Sequence, residues 1–331
     1  YRGNFTNSGT FNSGTGLHTF NGTAAQQLTG TTTFDRMALD NNAGLVINND
    51  VTVQTQLNLI DGAITTGANI LRIAQTTWSG INRSNGWIAG NLGLWYPTGW
   101  QSRDFPIGDG AAYRPVTVLS PNVTSAGYII ARVSQSAGDH PNIGSSDLDA
   151  NASVNRWWSI TSDGASVASM SVTFNYLSGD VDSGADTDAF EIQRHSGGSW
   201  TDVTVGTRSG TSTQGTSISG FGEFAIAESS GGTGTFTCPN GGELTPGLIG
   251  SYYSFAGQPT PSETPTGTPT GERVDGPIDF NTWGEGDPGV AGIGADDFAV
   301  RWEGYVRIAT TGVYEFETIS DDGVRLWVND E

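Results

Sequence analysis

An all-β chain is predicted by three features of these 331 residues. Glycine supplies 48 positions and, with abundant threonine, serine and asparagine, favours short strands joined by tight turns. Short apolar runs return about every six or seven residues through the first part of the chain. Farther along, Tyr128–Val133 and Met170–Tyr176 alternate apolar and polar residues with the period of two that a half-buried strand requires. The length exceeds what one compact domain usually reaches, so two or three domains are expected.

Residues 1–82 read as a parallel β-helix-like repeat. Asn7-Ser8-Gly9-Thr10 recurs as Asn12-Ser13-Gly14-Thr15, and large apolar residues return at Phe5, Phe11, Leu17 and Phe20. Leu45-Val46-Ile47, Val51-Thr52-Val53, Leu57-Asn58-Leu59, Ile64 and Ile70-Leu71-Arg72-Ile73 continue the series. Asn41-Asn42, Asn48-Asn49 and Asp61-Gly62 interrupt it with residue types that tolerate left-handed backbone angles. Strands punctuated so regularly suit coils that stack to share one core. Val51, Val53, Leu57 and Leu59 are expected inside, with Thr52, Gln54, Gln56 and Asn58 outside. An ordinary antiparallel sheet is the alternative.

Residues 83–228 read as a β-sandwich. Alternating strands occur at Tyr128–Val133, Met170–Tyr176, Phe190–Arg194 and Glu223–Ala227, separated by loops rich in glycine, serine and aspartate. Tryptophans become dense here (Trp87, Trp95, Trp100, Trp157, Trp158, Trp200) and serve packing more readily than sugar binding. Because neighbours on a strand face opposite ways, one of Trp157 and Trp158 should enter the core. Val172 and Phe174 should share the face opposite Thr173 and Asn175.

Residues 229–246 read as a linker, with the flexible composition Ser229-Ser230-Gly231-Gly232-Thr233-Gly234. The single cysteine, Cys238, cannot form an internal disulfide. It serves as a linker residue or as a thiol for an intermolecular bridge. The proline-threonine stretch from Pro259 to Thr270 should be extended.

Charge narrows the partners. Thirty-four carboxylates face fourteen basic residues, all arginine, for a formal net charge of −20. Such a surface repels nucleic acid and anionic lipid. It suits a saline or extracellular setting, although genome composition produces the same bias. No run of eighteen apolar residues exists, so direct membrane insertion by a helix is not expected. Tyr1-Arg2-Gly3-Asn4-Phe5 lacks the pattern of a signal peptide and reads as the start of a mature or internal segment.

The final region, 247–331, resembles protective-antigen-type domains. The resemblance rests on Gly247-Leu248-Ile249-Gly250-Ser251-Tyr252-Tyr253, Ile278-Asp279-Phe280, Trp283-Gly284, Phe298–Tyr305, Gly312–Phe316 and Ser320–Val328, in the family's order. It implies a partial β-sandwich of that type, ending before the family's later strands. It also implies a place in adhesins, toxins or carbohydrate-active enzymes, often with glycan binding. In the adhesin branch two adjacent aspartates help bind a calcium ion that contacts sugar hydroxyls; Asp321 and Asp322 match that pair. A role confined to stabilising the turn is the alternative. More loosely, residues 1–228 resemble repetitive segments of large secreted proteins of the Bacteroidetes, through Val154-Asn155-Arg156-Trp157-Trp158 and Phe221–Glu228. That likeness implies the cell exterior and no chemistry.

Catalysis finds little support in the residue pattern. Glycoside hydrolysis generally needs two facing carboxylates, yet the first 190 residues contain no glutamate, and Asp35, Asp40, Asp50 and Asp61 sit in turn contexts. His18, His140 and His195 stand isolated in sequence, with no metal-binding spacing. No catalytic residue is assigned. A second calcium candidate is the acidic stretch Asp180, Asp182, Asp186 and Asp188 around Gly184, which could fold oxygen ligands around the ion. A solvated hairpin loop is the competing reading. The chain is therefore expected to be a non-enzymatic, extracellular or cell-surface adhesin segment whose partners are glycans or matrix components. The alternatives are a self-associating filament, sheath or surface-layer component, and an appendage of a secreted carbohydrate-active enzyme.

Overall fold

The computed structural model of the chain describes residues 1–76, 80–230, 247–257, 265, 267–276, 278, 280, 288–304, 315–320 and 323–328. Among them the regular structure is almost all strand, broken by two short 3-10 turns at Ile143–Ser145 and Ser178–Asp180. The chain divides into two compact units, Tyr1–Gly234 and Thr235–Glu331.

The first unit opens as a three-faced solenoid of parallel strands, as the repeat predicts. On one face, equivalent rungs start at Thr32, Val51, Leu71 and Leu92, 19, 20 and 21 residues apart. Three strands per coil of that length account for the apolar recurrence at six or seven residues. A second face stacks Leu17–Phe20 on Arg36–Leu39, Gln56–Leu59 and Ile81–Arg83. The third stacks Phe5–Thr6, Gln26–Thr29, Leu45–Ile47, Ala63–Thr65 and Trp87–Ala89. Like sits on like: Val51, Leu71 and Leu92 form one internal ladder and Phe34, Val53, Ile73 and Leu94 another, all fully buried.

Corners are held by side-chain amides and glycine. Buried Asn41 donates to Ala24 O (2.9 Å) and Gln26 Oε1 (3.0 Å), while its own oxygen accepts the Ala43 N–H (3.0 Å). At the Asp61-Gly62 turn, Gly62 adopts φ +85°, and a Cβ there would lie 1.9 Å from Asn41 O. The corner thus requires both the left-handed angle and the missing side chain.

Strand Trp87–Tyr96 joins the solenoid to the sandwich. One edge pairs in parallel with Ala63–Ile73; the other pairs antiparallel with Gly127–Val133, placing Leu94 opposite Ile129. The sheet continues through Leu148–Asp163, Gly222–Ser229, Glu191–Ser196 and Ser199–Ser209, every contact antiparallel. A second layer comprises Arg103–Phe105, Val116–Leu119, Met170–Asn175 and Ser212–Ile218. Between the layers lie Trp158, Phe174 and Phe224, with ring centroids 5.2 and 5.1 Å apart along the series. Trp158 is fully buried while Trp157 is half-buried, and Val172 and Phe174 point inward, Thr173 and Asn175 outward.

In the second unit, Leu248–Ser254 pairs antiparallel with Gly271–Asp275 on one side and Phe298–Glu303 on the other. Buried Asp275 knits the three strands together. One oxygen accepts from Tyr252 Oη and Trp302 Nε1, both at 2.6 Å, and the other meets Arg273. Burial opposes its charge, but those three donors outweigh it and hold its carboxyl below the usual aspartate range.

Candidate functional site

The aspartate pair Asp321 and Asp322 lies outside the described residues. The neighbouring segments 315–320 and 323–328 are exposed and join no described strand, where the resemblance implies strands. A strand needs a paired backbone edge, and none of the described strands supplies one to these segments.

Asp180, Asp182 and Asp186 each accept from different groups, and Asp188 is exposed. Asp180 is buried and takes a two-pronged hydrogen bond from Arg114, Nε to Oδ2 at 2.6 Å and the second fork to Oδ1 at 2.7 Å. Asp182 accepts the Ser153 N–H (2.9 Å) and the Asn155 amide (2.6 Å). Asp186 accepts the Asp188 N–H (3.0 Å) in an exposed turn. Asp180 belongs to a buried quartet: Arg114 also meets Asp109 at 3.0 Å, and Arg156 meets Asp109 at 2.9 Å and Asp180 at 3.6 Å. Burial disfavours the charged Asp180, yet the bonds from Arg114 and the Leu177 N–H, with the charges of Arg114 and Arg156, depress its pKa. Bonded by Arg114 and the Leu177 N–H and faced by Arg156, Asp180 acts as a structural anchor. Its partners lie far away in sequence, and only the odd placement of Arg156 beside two strand tryptophans hints at them.

The sandwich brings together two histidines that stand isolated in the sequence. On its outer face, Glu223, His195 and Trp200 occupy one cross-strand row on three adjacent strands. The loop carrying His140 and the turn Ile143–Ser145 folds over that row, seated on Ile143, Leu148, Ala225, Ala227 and Trp200. His140 Nε2 lies 2.9 Å from Glu223 Oε2, and His195 Nδ1 lies 3.8 Å from the same oxygen. These are the ligand types that zinc takes, and the three atoms lie within 4.8 Å of one another. The Asn142 N–H points at His140 Nδ1 at 3.1 Å, which in a neutral ring leaves Nε2 to donate to Glu223. In that tautomer the cluster acts as a hydrogen-bonded clamp that ties the loop to the sheet.

Trp200 is fixed by this clamp. Its indole N–H donates to Asn142 O and Ser145 Oγ, both at 3.1 Å. The rings of His140 and His195 pack on it at centroid distances of 4.8 and 4.9 Å. Beside it opens a surface groove of about 590 Å³ lined by Asp147, Gln193, Trp200, Asp202 and serine and threonine residues, most of them exposed.

Comparison with known proteins places one part of the chain. Residues 244–331 match the PA14 domain family, in agreement with the resemblance read from the C-terminal motifs. Over 57 residues the chain is 51% identical to the anti-sigma-I factor RsgI3 of Acetivibrio thermocellus, an alignment covering 17% of this chain. It spans only 8% of that relative's length. No solved structure matches the chain.

Proposed function

We propose that this chain is a non-catalytic binding segment of a secreted or cell-surface protein, in which a PA14-type module recognises glycans. The match of residues 244–331 to the PA14 domain family carries the reading. The acidic, lysine-free composition supports an extracellular setting and disfavours nucleic acid and anionic membranes as partners. Calcium held by Asp321 and Asp322 would bind sugar hydroxyls directly, since a hard cation with six to eight oxygen ligands can share its shell between protein and ligand. The solenoid and sandwich act as a spacer that carries the module.

The test is glycan-array binding by a form of the protein extended past Glu331, with calcium and with excess chelator. Binding that needs calcium and vanishes in Asp322→Ala supports the reading. Calcium-independent silence across the array sinks it. A self-associating filament or sheath is the second reading, favoured by the long parallel ladders of the solenoid. Sedimentation showing concentration-dependent linear assembly would move the assignment there.

A further inference from the structure

We propose that the open groove beside Trp200 is a second carbohydrate subsite on the sandwich, selective for neutral sugars. Its space of about 590 Å³ is enough for a sugar ring laid against the surface.

The lining sets the ligand class. Trp200 offers the one aromatic surface, and the remaining groups are hydroxyls, one amide and two carboxylates, with no cation among them. A pyranose fits that set: it has an apolar C–H face for the indole and a rim of hydroxyl donors for the carboxylates. Ionised carboxylates are acceptors only, with about four lone-pair sites each. They therefore favour ligands with many O–H donors and repel uronates, sialylated sugars and phosphates.

The site is ordered before any ligand arrives. Gln193 is 3% exposed and uses both ends of its amide. Its Oε1 accepts the Asp147 N–H at 3.1 Å, and its Nε2 donates to Asp202 Oδ1 at 2.6 Å. One buried side chain thus ties the Asp147 backbone and the Asp202 carboxylate together. Trp200 is held by two hydrogen bonds and by packing on His140, whose Nε2 meets Glu223. A held aromatic and one hydrogen-bonded acceptor lower the ordering cost that weak saccharide binding otherwise faces. The sequence alone assigns Trp200 to packing; the structure packs its ring on His140 and His195 and also places the residue in the lining of a polar groove.

The experiment titrates the full chain with glucose, galactose, mannose, N-acetylglucosamine and their β-linked tetrasaccharides, with glucuronate and galacturonate as anionic counterparts, read by saturation-transfer NMR. Excess chelator is present throughout, so that calcium-dependent binding by the PA14-type module is silent. The expected result is transfer to one or more neutral sugars and none to the uronates. Loss of an aromatic platform or of a charged acceptor should each weaken binding about tenfold or more, in Trp200→Ala and Asp202→Ala. Trp200→Phe should retain part of the affinity, and Trp100→Ala, at a distant tryptophan 65% exposed, should retain all of it. A melting curve for each variant separates lost binding from lost fold. The proposal is overturned by no transfer to any neutral sugar, or by binding that survives Trp200→Ala. Each of those outcomes leaves the calcium-dependent reading of the PA14-type module standing.

Discussion

Replacing Asp180 with asparagine should be among the most damaging single changes in the sandwich. The side chains of Arg114, Asp180, Asp109 and Arg156 are only 5, 6, 5 and 8% exposed, and the charges of the quartet cancel. Asp180→Asn leaves two guanidinium groups facing one carboxylate, so a net positive charge stays buried. Breaking a buried pair in this way costs about 3–5 kcal/mol. For a unit of this size each kcal/mol moves Tm by about 2–4 °C, so a fall of about 6–20 °C is expected in thermal melting followed by near-UV dichroism. The double variant Arg114→Met/Asp180→Leu removes both members of the two-pronged pair and restores apolar packing, so it should recover much of the loss, a coupling a double-mutant cycle resolves. Acid supplies an independent check. The folded pKa of Asp180 lies below the ordinary aspartate value of about 3.9. Its contribution is therefore complete above that pH and fades as pH falls toward the folded pKa, where the native state too becomes protonated. Asp180→Asn should flatten the stability profile below about pH 4. A variant within about 1 kcal/mol of the parent, or a double variant no better than the single, would refute the argument that charge imbalance is the cause.

The solenoid makes a sharper contrast between neighbours. Leu71→Ala, at a fully buried rung between Val51 and Leu92, should cost about 2–5 kcal/mol in denaturant unfolding, whereas Thr52→Ala on the outer face should stay within about 0.5 kcal/mol. In the second unit, burial first and then the hydrogen bond to Asp275 push the Tyr252 hydroxyl up to about 12. Tyr96 is raised still further by burial inside the first unit. A raised folded pKa contributes stability that is complete below the tyrosine value of about 10 and is lost as pH climbs toward the folded pKa. Ultraviolet titration should show a late-ionising fraction that disappears in Tyr252→Phe and Tyr96→Phe, and full ionisation near pH 10 in the intact protein would contradict both environments.

What was legible in the sequence follows from how far each interaction reaches. The inward placement of Val51, Val53, Leu57 and Leu59 and the split of Trp157 from Trp158 depend only on the two-residue alternation of a strand, which is printed locally. The coil length was half visible: six or seven residues per strand recur plainly, but only the pairing of Val51 with Leu71 shows that three strands close a turn. The quartet and the histidine clamp were invisible for the opposite reason. Arg114 meets Asp180 across 66 positions and His140 meets Glu223 across 83, and no spacing rule connects residues so distant. The same long reach made the four aspartates from Asp180 to Asp188 look like one cluster, although Asp180 turns away to an arginine that composition could not assign to it.

Sheet continuity explains why residues 1–234 form one unit although the sequence reads as two regions. A stack of parallel coils ends in unpaired N–H and C=O groups and an open apolar end, both of which invite aggregation unless capped. Here the final rung, Asn91–Leu94, is covered by Gly127–Val133, which brings Leu92 opposite Ala131 and Leu94 opposite Ile129. The covering strand runs antiparallel, so the ladder changes from parallel to antiparallel at a single strand, Trp87–Tyr96. On the third face Ile107–Gly108 adds one more parallel rung beside Ile88 and Ala89 before the chain enters the second layer of the sandwich. The sandwich therefore serves as the solenoid's cap, and the solenoid supplies the sandwich with a paired edge. Neither region can unfold without exposing the other's buried backbone, which makes a shared, cooperative transition the physical consequence of the hand-off strand.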